Sequence, residues 1–247
     1  IKLGYEEINA NCVYEEGWTI EHAAEFYRQT KKFADYMLKN DLDDIYCSLY
    51  EENFFHPKSE VDNQNWCGGT GVMLSCDPDG YLYPCIRYME SSLGDKQPAV
   101  RIGDVHNGLV STEKEKEIVK CLNCVTRRTQ STDECYYCPI GEGCSWCSAY
   151  NFQIFGTVDK RATYICEMHK ARSLANVYYW NKRYEKNGEP LKYIMWCPKE
   201  WATPIVGNEE YNYLKKISGG KEFTLTNPKE YTYAEYEKLT RRYDWKM

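Results

Sequence analysis

CGGTGVMLSCDPDGYLYPC, residues 67–85, reads as a β-hairpin with a cysteine at each outer end and a third beside its turn. Asp77, Pro78, Asp79 and Gly80 are a strong turn signal, because glycine supplies the positive φ that closes such a turn. Residues 72–76 and 81–85 then become the paired strands. This geometry sorts the cysteines. Cys76 sits beside the turn, whereas Cys85 lies at the open end, roughly 13 Å further along at ~3.3 Å per residue. A metal centre a few ångströms across does not easily span that gap. Cys67 precedes a glycine-rich bend that folds it back toward the open end. Cys67 and Cys85 are therefore the better ligand pair, and Cys76 is expected to be a small packed side chain.

The hairpin opens a region, residues 61 to about 170, that carries ten of the thirteen cysteines. Its second group is CYYCPIGEGCSWC, residues 135–147, followed by Cys166. Two residues between thiolates let one turn present both sulfurs to a metal centre, as Cys135 and Cys138 would. Pro139, Gly141 and Gly143 keep this backbone irregular, so it can wrap around such a centre. A third pair, Cys121 and Cys124, lies just upstream, near the end of a short helix that Thr112 and Glu115 begin as a capping box.

Cysteine in this number points to metal ligation and a reducing compartment. Disulfide frameworks of this density belong to short secreted chains, and the first residues carry neither the apolar stretch nor the cleavage site of a signal peptide. The expected location is cytoplasmic. With no long apolar run there is no expected membrane span. A net charge of −6 argues against nucleic-acid binding, which needs a basic surface to neutralise phosphate.

Around the cysteine-rich region the chain reads as α/β. Residues 8–14 form a plausible strand. Thr19 can cap a helix whose apolar positions Ile20, Ala23, Ala24, Tyr27, Ala34, Met37 and Leu38 recur at helical spacing, and Asn40 and Asp41 end it. Residues 45–50 read as the next strand, so residues 1–60 follow the βαβ grammar of a parallel sheet. That is too little to complete a sheet, and Ile1 is not an initiator methionine, so the chain is expected to begin inside a longer protein. From residue 170 helical character resumes, with Leu174, Val177 and Tyr178 on one face.

Two metal readings compete on spacing alone. Cys121 and Cys124 with Cys135 and Cys138 match a zinc ribbon, which would make the chain an interaction module without redox chemistry. Zinc would leave Cys67, Cys85, Cys144, Cys147 and Cys166 needing a second site. Thiolate-only ligation suits iron–sulfur clusters equally, and the thiolates suffice for two four-iron clusters. A stand-alone ferredoxin-like carrier fits less well with the βαβ start.

The order Cys-x12-Gly-x4-Cys, then Cys-x2-Cys-x5-Cys, another Cys and a distal Cys resembles the SPASM domain. That domain is the C-terminal extension of radical S-adenosylmethionine enzymes that modify peptides. The stretch from Asn65, Trp66 and Cys67 to Cys166 resembles the branch that forms thioether crosslinks in ribosomally made precursor peptides. The resemblance implies that residues 1–60 end a partial (β/α)6 barrel and that 61–185 form a SPASM domain with a hairpin and helices. Residues 186–247 are then an extension of unassigned role. It implies that Cys67, Cys85 and Cys147 hold a first auxiliary [4Fe–4S] cluster, and Cys135, Cys138, Cys144 and Cys166 a second. Cys121 or Cys124 could complete the first, or a substrate cysteine could. An external electron donor or acceptor is also implied. The pattern departs from the family at Cys144 and Cys147, which two residues separate instead of three. The family's catalytic Cys-x3-Cys-x2-Cys trio is absent from these residues. S-adenosylmethionine and a third [4Fe–4S] cluster are accordingly expected to lie upstream.

Lesser expectations complete the reading. Cys12, Cys47 and Cys197 are expected to be structural thiols. His22, His56, His106 and His169 are scattered, and His169 is expected on a helix surface. Trp146, Tyr136 and Tyr137 would shield a cluster from water. Asn11 and Glu15 fall near a strand end.

Overall fold

The computed structural model describes residues 4–58, 63, 67–70 and 72–223. Asn65, Trp66 and residues 224–247 of the C-terminal extension lie outside the described residues. The chain is mixed α/β and divides into two compact units that interleave in sequence. Residues 4–58, 137–144 and 163–223 make the first unit; the described residues of 63–136 with 145–162 make the second. The sequence reading divided the chain linearly instead. The difference arises because residues 137–144 and the helix after Cys166 find their partners among the first 58 residues.

In the first unit, β1 (Glu7–Ile8) pairs in parallel with β2 (Tyr46–Cys47), Glu7 opposite Tyr46 and Ile8 opposite Cys47. Between them runs α1 (Ile20–Lys39), so the expected βαβ order holds. Thr19 caps α1 by accepting from the His22 amide, while His22 Nδ1 accepts from the Thr19 amide at 3.2 Å. Histidine thus completes a capping box in which glutamate is usual. The buried stripe of α1 is Ala23, Tyr27, Thr30, Ala34 and Met37. Both strands are shorter than expected, for a visible reason. Beyond Cys47 the Ser48 hydroxyl takes the Ala10 amide at 2.8 Å, replacing a ladder bond. The Ser48 and Leu49 carbonyls accept from Arg172, and Asn176 Nδ2 donates to Leu49 at 2.7 Å.

Those two side chains belong to α7 (Cys166–Asn187), which packs along α1. α8 (Lys199–Ile217) packs on both and kinks at Gly207, three residues after Pro204. Ala171, Leu174, Ala175, Ala202 and Leu214 are wholly buried here, and the three alanines let the helices approach closely.

The second unit is built on a four-stranded antiparallel sheet in sequential order: β3 (Ser75–Cys76), β4 (Tyr81–Tyr83), β5 (Gly103–Asp104) and β6 (Gly108–Leu109). The expected hairpin is its first half, with Ser75 opposite Tyr83 and Cys76 opposite Leu82. Gly80 closes the turn at φ 86° and donates to the Asp77 carbonyl at 3.1 Å. Asp77 holds the turn from inside: its Oδ1 accepts from the Asp79 and Tyr81 amides, and Oδ2 from the Tyr83 hydroxyl at 2.7 Å.

Five helices accompany the sheet: α2 (Glu90–Leu93), α3 (Glu113–Asn123), α4 (Arg127–Gln130), α5 (Asp133–Tyr136) and α6 (Ser148–Phe155). The Thr112 and Glu115 capping box is present as expected. α3 packs against the 3-10 turn Gly68–Thr70, as α6 does. Among the described residues, no helix is long and apolar enough to cross a membrane.

Candidate metal centre

Three of the expected ligands meet in the second unit. Cys67 enters the 3-10 turn, Cys85 lies two residues beyond β4 at the start of the 3-10 turn Ile86–Tyr88, and Cys147 caps α6. Gly69 stands between the first two. A Cβ there would lie 3.2 Å from Cys85 Sγ, 3.6 Å from Cys67 Sγ and 3.5 Å from the Tyr88 ring. A side chain there would crowd Cys85 Sγ, so glycine suits the close fit of the turn. Tyr83, Cys85, Tyr88, Leu122, Val125, Ala149 and Val158 form the buried cluster around the group, with Trp146, Cys147 and Phe152 partly buried against it. Trp146 packs here.

Burial pushes the Cys85 and Cys147 thiols above the ordinary range. For Cys85 the amides of Arg87 and Tyr88 pull the other way, while Cys67 adds to the rise. For Cys147 the Tyr150 amide, 3.4 Å from Sγ, pulls down, and both Cys67 and Cys85 push up. Cys85 and Cys147 thus each resist ionisation in this surrounding, and a cation bound beside them would favour their thiolates. Cys67 Sγ lies 3.4 Å from Ser148 Oγ, which accepts from the Tyr88 hydroxyl at 3.0 Å.

Cysteine sulfurs within an apolar shell are the donor set that iron–sulfur clusters take, so these residues suit such a group by their chemistry. A zinc ion would draw its sulfurs to about 2.3 Å from itself. Among the described residues no three His, Cys, Asp or Glu side chains are gathered so as to hold a metal ion. The three thiols share a neighbourhood rather than a single-ion cage.

The other expected ligands are dispersed. Cys121 lies on α3 and Cys124 caps its C-terminus, both exposed. Cys135 is half-buried on α5 in the second unit. Cys138, Cys144 and Cys166 are half-buried in the first unit. There the loop 138–144 is pinned by backbone bonds from Gly141 to Cys138, Cys144 to Gly141, Glu142 to His56 and Phe55 to Glu142. His169, one turn into α7 from Cys166, places Nε2 2.7 Å from the Ile140 carbonyl oxygen. The expectation of a surface histidine is therefore corrected: a buried carbonyl between two cysteines needed a donor, and α7 supplies it.

Cys76 also departs from expectation. It is exposed, not packed, because its strand lies at the sheet edge. Cys47 and Cys197 are buried thiols and Cys12 is half-buried; Cys197, wholly enclosed, is pushed up to about 12 by burial. Tyr136 is buried between the Arg127 and Arg128 guanidinium groups, 4.2 and 4.7 Å from its ring. Asn11 and Glu15 are exposed in the connection between β1 and α1. Ser148 and Tyr88 carry no sequence motif, and only their position beside the sulfurs marks them.

Compared with protein-family models, curated proteins and solved structures, the chain matches none.

Proposed function

We propose that this chain is the auxiliary-cluster portion of a radical S-adenosylmethionine enzyme that modifies a ribosomally made peptide, in the branch that forms thioether crosslinks at cysteine. The observation that carries it is the placing of Cys67, Cys85 and Cys147 beside the Gly68–Thr70 turn, with the Tyr150 amide on Cys147 and the Ser148 hydroxyl 3.4 Å from Cys67. The parallel pair β1 and β2 joined through α1 supports the end of a partial (β/α)6 barrel. Cys138, Cys144 and Cys166, half-buried in one unit where the His169 bond ties α7 to the loop 138–144, are in keeping with three of the second set of ligands.

A [4Fe–4S] cluster on Cys67, Cys85 and Cys147 would supply a one-electron acceptor and an iron able to take a further thiolate. The chain's own residues then have defined tasks. The three thiolates hold the group, Gly69 leaves it room, and Tyr88, Leu122, Val125 and Ala149 exclude water from it. The exposure of Cys121 and Cys124 favours leaving the fourth position to a cysteine of the peptide. S-adenosylmethionine and the cluster that binds it are assigned to a segment beyond these 247 residues, because no cysteine trio here has the required spacing.

Anaerobic purification and reconstitution test this reading. About eight irons and eight sulfides per chain are expected from two four-iron clusters. Stoichiometric zinc without sulfide overturns the proposal in favour of a structural zinc module. Addition of a cysteine-bearing peptide is expected to alter the spectrum of the first cluster, and an unchanged spectrum removes the open position.

A further inference from the structure

Ser148 opens α6, and its side chain is wholly buried. Its Oγ is 3.4 Å from Cys67 Sγ and accepts from the Tyr88 hydroxyl at 3.0 Å; Tyr88 is wholly buried too. A hydroxyl carries one proton and two lone pairs. The phenol proton is already directed at Ser148 Oγ, so the serine's own proton is available to the sulfur. A cysteine acting as ligand is a thiolate, which only accepts. The direction of the chain is thereby determined: Tyr88 to Ser148 to Cys67.

We propose that Tyr88 and Ser148 form a two-hydroxyl relay to the Cys67 thiolate, with Ser148 the positioning residue that raises the reduction potential of the centre. The inference rests on the cluster reading above. Reduction adds negative charge to a cluster and its thiolates, so a donor at sulfur stabilises the reduced state more than the oxidised one. Enclosure strengthens the effect, since chained hydroxyls polarise one another where the dielectric is low. Cys147 takes a donor from the main chain, the Tyr150 amide at 3.4 Å from its sulfur. That donor survives side-chain replacement. The Ser148 hydroxyl beside Cys67 does not, so replacing it changes the field at that sulfur.

The full chain and its S148A, S148T and Y88F variants would be reconstituted anaerobically, assayed for iron and sulfide, and titrated by EPR. The relevant signal is the one that C85S removes. S148A is expected to keep its iron and to lower the equilibrium constant for one-electron reduction about tenfold, about 59 mV. Y88F should shift the same way by less, and S148T should return to the original value. Coincident potentials in S148A, Y88F and the unaltered chain overturn the relay. Where S148A fails to fold or load iron, Y88F decides, and an unchanged potential there overturns it equally. An unaltered chain without iron and sulfide sinks the cluster reading itself, an outcome separate from iron that is present at unshifted potential.

Discussion

His169 Nε2 lies 2.7 Å from the carbonyl oxygen of Ile140, inside the core of the first unit. Nε2 must carry the ring proton, since a carbonyl only accepts. The ring also rests 5.0 Å from the Phe55 ring, centroid to centroid. His169→Ala removes the donor, strands a buried carbonyl and leaves a cavity, which together cost about 2 to 4 kcal/mol. Urea unfolding is expected to show a lower midpoint at an unchanged slope. His169→Gln, which can reach the carbonyl with its amide, should recover part of the loss.

Gly143 gives a sharper test of the same loop. Its φ is +70°, and a Cβ there would meet Phe54 at 2.2 Å. An L-residue pays about 1 to 2 kcal/mol for the left-handed conformation, and the overlap adds about 1 to 3 kcal/mol. Gly143→Ala is therefore expected to destabilise by about 2 to 5 kcal/mol. Gly188, also at φ +70° but with open space around it, should pay the conformational part alone when changed to alanine. Equal losses at the two positions would contradict the Phe54 contact.

What the sequence made legible was local. The capping boxes at Thr19 and Thr112 and the turn 77–80 are written in adjacent residues, and hairpin geometry alone brought Cys67 and Cys85 to the same end. What escaped it depends on partners far apart in the chain. Residues 137–144 join the first unit through bonds between Glu142 and residues 55 and 56, and through His169, none of which leaves a spacing pattern. Arg172 and Asn176 shortened β2 by claiming its carbonyls from a helix more than a hundred residues away. A lone buried serine beside a sulfur has no signature in sequence.

Exposure orders the cysteines for chemical labelling. Cys76, Cys121 and Cys124 are exposed, whereas Cys47, Cys85 and Cys197 are buried. Alkylation of the metal-free folded chain should modify the first three quickly and leave the buried three intact until unfolding. After reconstitution the half-buried Cys67 and Cys147 should become protected, while Cys121 and Cys124 stay reactive. Protection of either of the latter, read by peptide mass mapping, would make it the fourth ligand and close the site to a substrate thiolate.

Asp77 gives the second unit an acid limit. Its hydrogen bond from Tyr83 holds the carboxyl below its usual range, assisted by the Tyr81 and Asp79 amides and the Arg101 charge. A carboxylate with a lowered folded pKa binds fewer protons in the native state than in the unfolded one. The stability it contributes is thus fully present above the unfolded value of about 3.9 and is lost as pH falls through the folded value. The hairpin turn should accordingly loosen below about pH 4 and be insensitive to pH near neutrality. Asp77→Asn keeps the shape but removes the charge and one acceptor, so its thermal midpoint should lie below that of the unaltered chain at pH 7. The gap between the two should narrow as pH falls toward 2, because the unaltered aspartate is then neutral as well. A gap that stays constant across that range would mean that packing, and not the ionised carboxylate, holds the turn.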